Sequence, residues 1–181
     1  ENLNITMGYP ISGSTTGNLI KAFLRYQASA TIGANNKAFV ELNAFKELVE
    51  QPAIQHLLPE EIHKLTLSKS RYMSSQLIAD KILLTNENYQ HILKSIFTPN
   101  TDISEAIDVL SQAILNLYLL NKDSEATHEI LEERIIYSVV KYLENLQSII
   151  AGSYLKISFT ILEKLVKESF KQMTAPFAGE P

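Results

Sequence analysis

The stretch Asp102-Ile103-Ser104-Glu105-Ala106-Ile107-Asp108-Val109-Leu110 begins a helix whose start and apolar face can both be recognised. An acidic residue followed three positions later by Glu has the spacing of a capping box, with Asp in place of the usual Ser or Thr. Beyond it, apolar residues recur every three or four positions: Ile107, Leu110, Ala113, Ile114, Leu117 and Leu120. This period predicts an amphipathic helix, and it recurs along most of the chain.

Apolar stripes of the same period predict further helices on both sides of this one. They run over Leu19–Tyr26, Phe39–Val49, Tyr89–Phe97, Ile130–Ile150 and Ile157–Met173, with a weaker pattern over Ser68–Leu84. Pro52, Pro59 and Pro99 end helical patterns, and Gly152 stands where a residue just past a helix C-terminus is expected. Such helices are stabilised by packing of their apolar faces.

The N-terminal segment has a different period. Leu3, Ile5 and Met7 alternate with polar residues, which predicts a short strand, and Gly8-Tyr9-Pro10 then breaks it. Ile11–Gly17 is rich in Gly, Ser and Thr and predicts a loop. We therefore expect residues 1–181 to form one all-α, multi-helix domain with one short strand at its N-terminal edge.

Composition limits the functional classes. The chain has 45% hydrophobic and 20% charged residues, no cysteine and a net charge of −4. Disulfides, a thiolate nucleophile and a Cys-ligated zinc site are excluded, and DNA binding would require a local basic patch. No uninterrupted apolar run approaches eighteen residues, so we expect no membrane partner. The balance is compatible with a cytoplasmic protein.

The segment Gly8–Thr15 has the G-x-x-x-x-G spacing of a P-loop between a predicted strand and a predicted helix. However, Ser14 stands where the P-loop lysine should follow, and Pro10 lacks one of the N–H groups that would hold a phosphate. A turn leading into a helix is therefore the favoured interpretation.

No residue pattern predicts catalysis, a cofactor or a metal ion. The histidines His56, His63, His91 and His128 form no H-E-x-x-H motif, and Glu125, Glu129, Glu132 and Glu133 fit a solvated helix face. One mild basic cluster remains, Lys64, Lys69, Arg71 and Lys81, with Tyr72 between them. It is a candidate DNA-contact surface, and a solvated surface explains it equally well.

Three segments resemble bacterial AddB-like proteins, which are PD-(D/E)XK nuclease-family proteins with an inactivated superfamily I helicase core. Ile5-Thr6-Met7-Gly8-Tyr9-Pro10 resembles the segment that leads into their helical insertion. Phe39–Ile54 resembles a helix that ends on a His-Pro-x-Ile-like turn, with Gln51 in place of the usual His. Tyr154–Phe159 and Pro176-Phe177-Ala178-Gly179-Glu180-Pro181 resemble the segment that returns to the second motor domain.

The resemblance implies a helical subdomain inserted in a RecA-like motor domain of a larger parent protein. Residues 1–16 and 174–181 would then be junction segments, with Met7, Gly8, Tyr9, Pro10, Pro176, Phe177, Gly179, Glu180 and Pro181 at the junction itself. The parent would process DNA ends in recombination and repair, and its catalytic residues would lie outside this chain. The expected partners are the remaining domains of the parent and, as a candidate, DNA; no small-molecule substrate is expected.

An insertion leaves and re-enters its host at neighbouring points, so we expect Leu3–Met7 to lie near Ala175–Pro181. The rival interpretation is a pure protein-interaction module, which predicts an exposed apolar patch. A third class, a stand-alone enzyme, would require a concave pocket with convergent polar groups.

Overall fold

The computed structural model of the protein describes residues 8–33, 37–121, 126–152 and 156–175. Over these ranges the chain is mostly α-helical, which confirms the predicted fold class. The helices are α1 (Thr15–Ser29), α2 (Leu42–Val49), α3 (Pro52–Gln55), α4 (Glu60–Leu65), α5 (Ser75–Ile82), α6 (Glu87–Phe97), α7 (Ile103–Asn121), α8 (Ala126–Gly152) and α9 (Phe159–Gln172). The strands are β1 (Tyr9–Pro10), β2 (Thr31–Ile32), β3 (Ala38–Glu41), β4 (Tyr72–Ser74) and β5 (Thr174–Ala175).

Helix α1 lies at the centre of the core. It packs most extensively on α9 and α2, and it also contacts α3, α7 and α8. Its large buried side chains are Leu19, Ile20, Phe23, Leu24 and Tyr26. Complete burial of such a side chain stabilises the folded state by about 1.5–3 kcal/mol. The packing of the surrounding helices on the apolar stripe of α1 is therefore a large part of the stability of the core.

Polar side chains cap some of the helices, α1 and α7 among them. The Ser14 hydroxyl accepts a hydrogen bond of 2.9 Å from the Gly17 N–H at the start of α1. At the start of α7, Asp102 Oδ1 accepts one of 2.9 Å from the Glu105 N–H, which confirms the cap predicted there. Each such cap contributes about 1 kcal/mol.

A buried hydrogen-bond network joins α1 to the end of α6. The Tyr26 hydroxyl donates to the Phe97 carbonyl oxygen at 2.8 Å. Gln27 donates to the Thr98 carbonyl oxygen at 3.1 Å and accepts from the Asn100 N–H at 2.8 Å. The turn after α6 is therefore fixed by polar groups of the central helix.

The structure also contains a three-stranded antiparallel sheet that the sequence did not predict, in the order β2-β3-β4. Val40 is paired with Met73 and Glu41 with Tyr72. Phe39 was predicted to begin a helical stripe but lies in β3, and the weak helical pattern over Ser68–Leu84 divides into β4 and α5. The helical prediction was wrong for residues 39–41 and Tyr72–Ser74, because these two segments pair with each other across the sheet, and it was right for Ser75–Ile82.

Strands β1 and β5 form a separate antiparallel ribbon in which Tyr9 is paired with Ala175 and Pro10 with Thr174. The Ile11 N–H continues the connection with a hydrogen bond of 3.1 Å to the Met173 carbonyl oxygen. The ribbon includes the residues predicted to break the strand. The predicted strand Leu3–Met7 lies outside the described residues.

One 18-residue window of helix α7, Ile103–Leu120, has a mean hydropathy of 1.3. By length and composition this window could cross a membrane, which differs from our expectation that no segment would qualify. In the fold, α7 packs on α6 and α8, and 39% of the window is buried. The buried part of α7 therefore belongs to the protein core, and other apolar side chains of this helix are exposed.

Candidate functional site

The elements that carry the four candidate DNA-contact residues are neighbours in the fold. Lys64 lies on α4, Lys81 lies on the last turn of α5, and Lys69 and Arg71 lie in the segment between α4 and β4. Helix α5 packs on both α4 and β4. The side chains of Lys64, Lys69 and Arg71 are exposed, and that of Lys81 is half-buried.

Two of these four cations have acidic partners. Lys64 Nζ lies 3.0 Å from Glu60 Oε1, and the hydrogen bond to Glu60 raises the pKa of Lys64. Arg71 lies 3.9 Å from a Glu41 carboxylate oxygen, and its guanidinium lies 5.3 Å from the centre of the Tyr72 ring. Exposed pairs of this kind contribute little to stability because solvent screens them, so both cations could exchange their carboxylates for phosphates.

The described parts of the two predicted junction segments, residues 8–16 and 174–175, meet at the β1–β5 ribbon. Gly8 precedes β1, and a Cβ atom on Gly8 would lie 2.6 Å from the Thr174 Cβ and 2.7 Å from the Ala175 carbonyl oxygen. The absence of a side chain at Gly8 therefore permits the close approach of β5. Met7, Pro176, Phe177, Gly179, Glu180 and Pro181 lie outside the described residues.

The P-loop-like segment is folded as a capping turn. A short 3-10 helix covers Ile11–Gly13. The Ser14 hydroxyl donates a hydrogen bond of 2.8 Å to the Ile11 carbonyl oxygen while it caps α1. A Cβ atom on Gly17 would overlap that same oxygen. Ser14 and Gly17 thus hold the 3-10 helix against α1, which agrees with the favoured interpretation of a turn leading into a helix.

A mostly apolar cavity of about 270 Å³ lies where the start of α1 meets α3, α7 and α8. Its polar lining includes His56 and Glu132, and the Thr16 hydroxyl donates a hydrogen bond of 2.5 Å to Glu132 Oε1. The Glu132 carboxylate faces the positive end of the α1 dipole, where negative charge is favourable. Glu132 therefore connects α8 to α1. The prediction that it lies on a solvated helix face was wrong for this residue, because its carboxylate is half-buried against α1.

The histidines do not converge on a common site within the described ranges. His56 lies beside the Pro52 carbonyl oxygen at 3.3 Å, His63 lies on α4 and His91 on α6. No group of three His, Asp or Glu side chains in the described part of the chain could hold a metal ion. The side chain of His128 lies outside the described residues.

A polar cleft of about 300 Å³ between α1, α2 and α9 was not predicted from the sequence. All its lining side chains are polar: Asn18, Lys21, Arg25, Glu47, Gln51, Glu163 and Lys167. On α1 and on α9 these residues are spaced by three or four, a spacing that places side chains on one helical face, and Gln51 follows the end of α2. That spacing was visible in the sequence, but the convergence of three separate faces depends on tertiary packing.

Exposed apolar side chains gather on the outer face of α7. Leu115 and Leu119 are one helical turn apart, and Leu120 follows; the exposed fraction of Leu119 is 64%. We call these three residues the α7 apolar face. Exposed apolar groups on neighbouring positions are typical of surfaces that contact a partner.

Comparisons with protein-family models, with curated proteins and with solved structures found no match for this chain.

Proposed function

We propose that this chain is a non-catalytic helical subdomain of an AddB-like DNA repair protein, joined to a RecA-like motor domain through the β1–β5 ribbon. In this proposal the cluster of Lys64, Lys69, Arg71 and Lys81 contacts duplex DNA. The parent protein acts in the cytoplasm on DNA ends, and its other domains are the partners of this one.

The observation that carries the proposal is the pairing of Tyr9 with Ala175. A domain inserted in a host must leave and return at neighbouring points, and the ribbon brings the two described ends side by side. The segments that resemble the AddB-like junctions continue directly from these strands. The ribbon geometry therefore supports the insertion that the resemblance implies.

Electrostatics support a DNA contact in the region of α4, β4 and α5. Three of the four cations are exposed. Their long side chains can therefore reach the phosphates of a bound duplex. Arg71 also lies against the Tyr72 ring, which orients its guanidinium. Because the net charge of the chain is −4, binding would depend on this local surface.

A pure protein-interaction module is the second candidate, and the α7 apolar face favours it. The side chains of Leu115, Leu119 and Leu120 would lose exposed area against another domain. Such a module would position the parent's domains without contacting DNA. The two candidates use different surfaces, so substitutions can separate them.

The deciding experiment is fluorescence anisotropy with a labelled duplex that carries a single-stranded tail and 5′-hydroxyl ends. The 181-residue chain is titrated at two salt concentrations and compared with the double variant Lys69→Gln/Lys81→Gln. If these lysines each contact one phosphate, the plot of log association constant against log salt should be less steep for the variant, by about 2 in the magnitude of its slope.

The matched control is Lys164→Gln, an exposed lysine of α9 that should leave the slope unchanged. Absence of binding at low salt, or an equal loss in the control, would reject the DNA contact and favour the protein-interaction module. A substitution of Leu119 should not alter DNA binding in either case.

A further inference from the structure

The polar cleft contains two lysines that no carboxylate neutralises directly. Lys21 on α1 and Lys167 on α9 lie on opposite walls of the cleft. Lys21 Nζ donates a hydrogen bond of 2.8 Å to the Ser12 carbonyl oxygen. Among the described residues, no carboxylate oxygen lies within ion-pair distance of either ammonium.

The third cation, Arg25, is already neutralised. Arg25 Nη1 lies 2.5 Å from Glu47 Oε2, and Gln51 Nε2 donates a hydrogen bond of 2.7 Å to the Glu47 carbonyl oxygen. The wall formed by α1 and α2 is therefore fixed by internal contacts. An ion pair of Arg25 with one carboxylate leaves further guanidinium N–H groups able to donate.

The two lysine charges act on each other. Partial burial is the largest cause that lowers the pKa of Lys21, and the positive charge of Lys167 is the next. Glu47 opposes this effect through its negative charge. Two like charges on facing walls of a cleft repel each other, and such locally unfavourable arrangements are expected at functional sites.

We propose that the cleft between α1, α2 and α9 binds a phosphate group, as inorganic phosphate or a phosphate monoester, between Lys21 and Lys167. A phosphate presents several acceptor oxygens, so both ammonium groups can donate to it at once. The Asn18 amide and the remaining N–H groups of Arg25 supply further donors. The lining carries three cations and two carboxylates, so its net positive charge favours an anion.

The phosphate could be free or could be the terminal phosphate of a nucleic acid, because the recognised chemistry is the same. The inference does not rest on the proposed function. It uses a different surface from that of Lys64, Lys69, Arg71 and Lys81, and the duplex in the previous experiment has no terminal phosphate.

The test is isothermal titration of the 181-residue chain with inorganic phosphate and with phenyl phosphate at constant ionic strength. We expect saturable binding that Lys167→Gln weakens about tenfold, through loss of one charge-assisted hydrogen bond. Lys164→Gln is the matched control, because Lys164 is exposed on the same helix and does not line the cleft. The control should bind phosphate as the unchanged chain does.

Lys21→Met should weaken binding at least as strongly, and circular dichroism checks that this half-buried substitution leaves the fold intact. Lys167 is exposed, so its variant keeps the test decisive even if the Lys21 variant does not fold. Absence of saturable binding, or an equal effect of Lys164→Gln and Lys167→Gln, would overturn the proposal.

A pair of single-stranded oligonucleotides distinguishes the sources of the phosphate. Preference for the 5′-phosphorylated form over the 5′-hydroxyl form, lost in Lys167→Gln, would support the site and identify a nucleic-acid end. Saturable binding of inorganic phosphate without that preference would support the site and identify a free phosphate compound.

Discussion

Pro10 lies opposite Thr174 in the β1–β5 ribbon, although almost the whole described chain separates the two residues. Both side chains are exposed. Their pairing is the long-range contact that closes the fold at one edge. It also gives the most direct way to test whether the two described ends meet.

The double variant Pro10→Cys/Thr174→Cys should form an intramolecular disulfide. Paired Cα atoms in an antiparallel ladder are about 4.5–5.5 Å apart, which is within the range that a disulfide spans. The chain has no cysteine of its own, so an oxidised monomer can contain only this bridge. Altered mobility on a non-reducing gel would detect it, and the closed loop should stabilise the fold by up to about 5 kcal/mol.

The control for this cross-link is Pro10→Cys/Lys164→Cys, which places the second thiol on the outer surface of α9. It should remain reduced as a monomer under the same conditions. Equal cross-linking in both variants would mean that the ends are not specifically paired. Failure of the first pair to oxidise would contradict the ribbon directly.

Gly17 gives a prediction in which the sign of the effect is informative. In an unconstrained helix, Gly→Ala stabilises by about 1 kcal/mol. In this structure the new Cβ would overlap the Ile11 carbonyl oxygen, so we expect Gly17→Ala to destabilise the fold by about 1–3 kcal/mol. Urea denaturation measures the difference.

Gly13→Ala is the matched control, because no atom lies within 4 Å of a Cβ at Gly13. Its effect should stay within about 0.5 kcal/mol. If Gly17→Ala stabilised the protein instead, that result would contradict the close contact between the 3-10 helix and α1.

The sequence predicted the helices well because their causes are local. The capping box at Asp102 and the apolar spacing of α7 are both contained within a few consecutive residues. The same is true of α1, whose stripe from Leu19 to Tyr26 is buried as its period indicates. Helical period and caps were sufficient there.

The sheet and the polar cleft could not be predicted in this way. Val40 pairs with Met73, which lies far along the chain, and no local pattern specifies that pairing. Similarly, Lys21 and Lys167 belong to helices at opposite ends of the sequence. Their proximity results from the packing of α1 on α9, which the period of each helix does not determine.

Tyr26 should make stability fall at high pH. Its hydroxyl donates to the Phe97 carbonyl oxygen, and burial raises the pKa of Tyr26 far above its ordinary value. Above about pH 10 the unfolded state loses this proton while the folded state keeps it. The stabilisation that comes from the buried Tyr26 hydroxyl is therefore fully present below pH 10. Above that pH the free energy of unfolding declines, by at most about 1.4 kcal/mol per pH unit.

Tyr26→Phe removes both the hydrogen bond to the Phe97 carbonyl oxygen and the buried titratable hydroxyl. At neutral pH it should cost about 1–3 kcal/mol, because the Phe97 carbonyl oxygen loses its side-chain donor. Above pH 10 its free energy of unfolding should decline less steeply than that of the unchanged chain. Tyr72→Phe, at an exposed ring, is the matched control. Parallel profiles for the Tyr26 variant and the unchanged chain would contradict the buried hydroxyl.

Leu117 and Leu119 test the orientation of α7, because they lie two residues apart on opposite sides of one helix. The exposed fraction is 3% for Leu117 and 64% for Leu119. Leu117→Ala should therefore cost about 2–5 kcal/mol of unfolding free energy, whereas Leu119→Ala should change it by less than about 0.5 kcal/mol. Urea denaturation of the two variants makes the comparison, and Leu115→Ala should behave like Leu119→Ala. If Leu119→Ala were as costly as Leu117→Ala, Leu119 would be covered in the isolated chain, and the α7 apolar face would no longer favour a protein-interaction module.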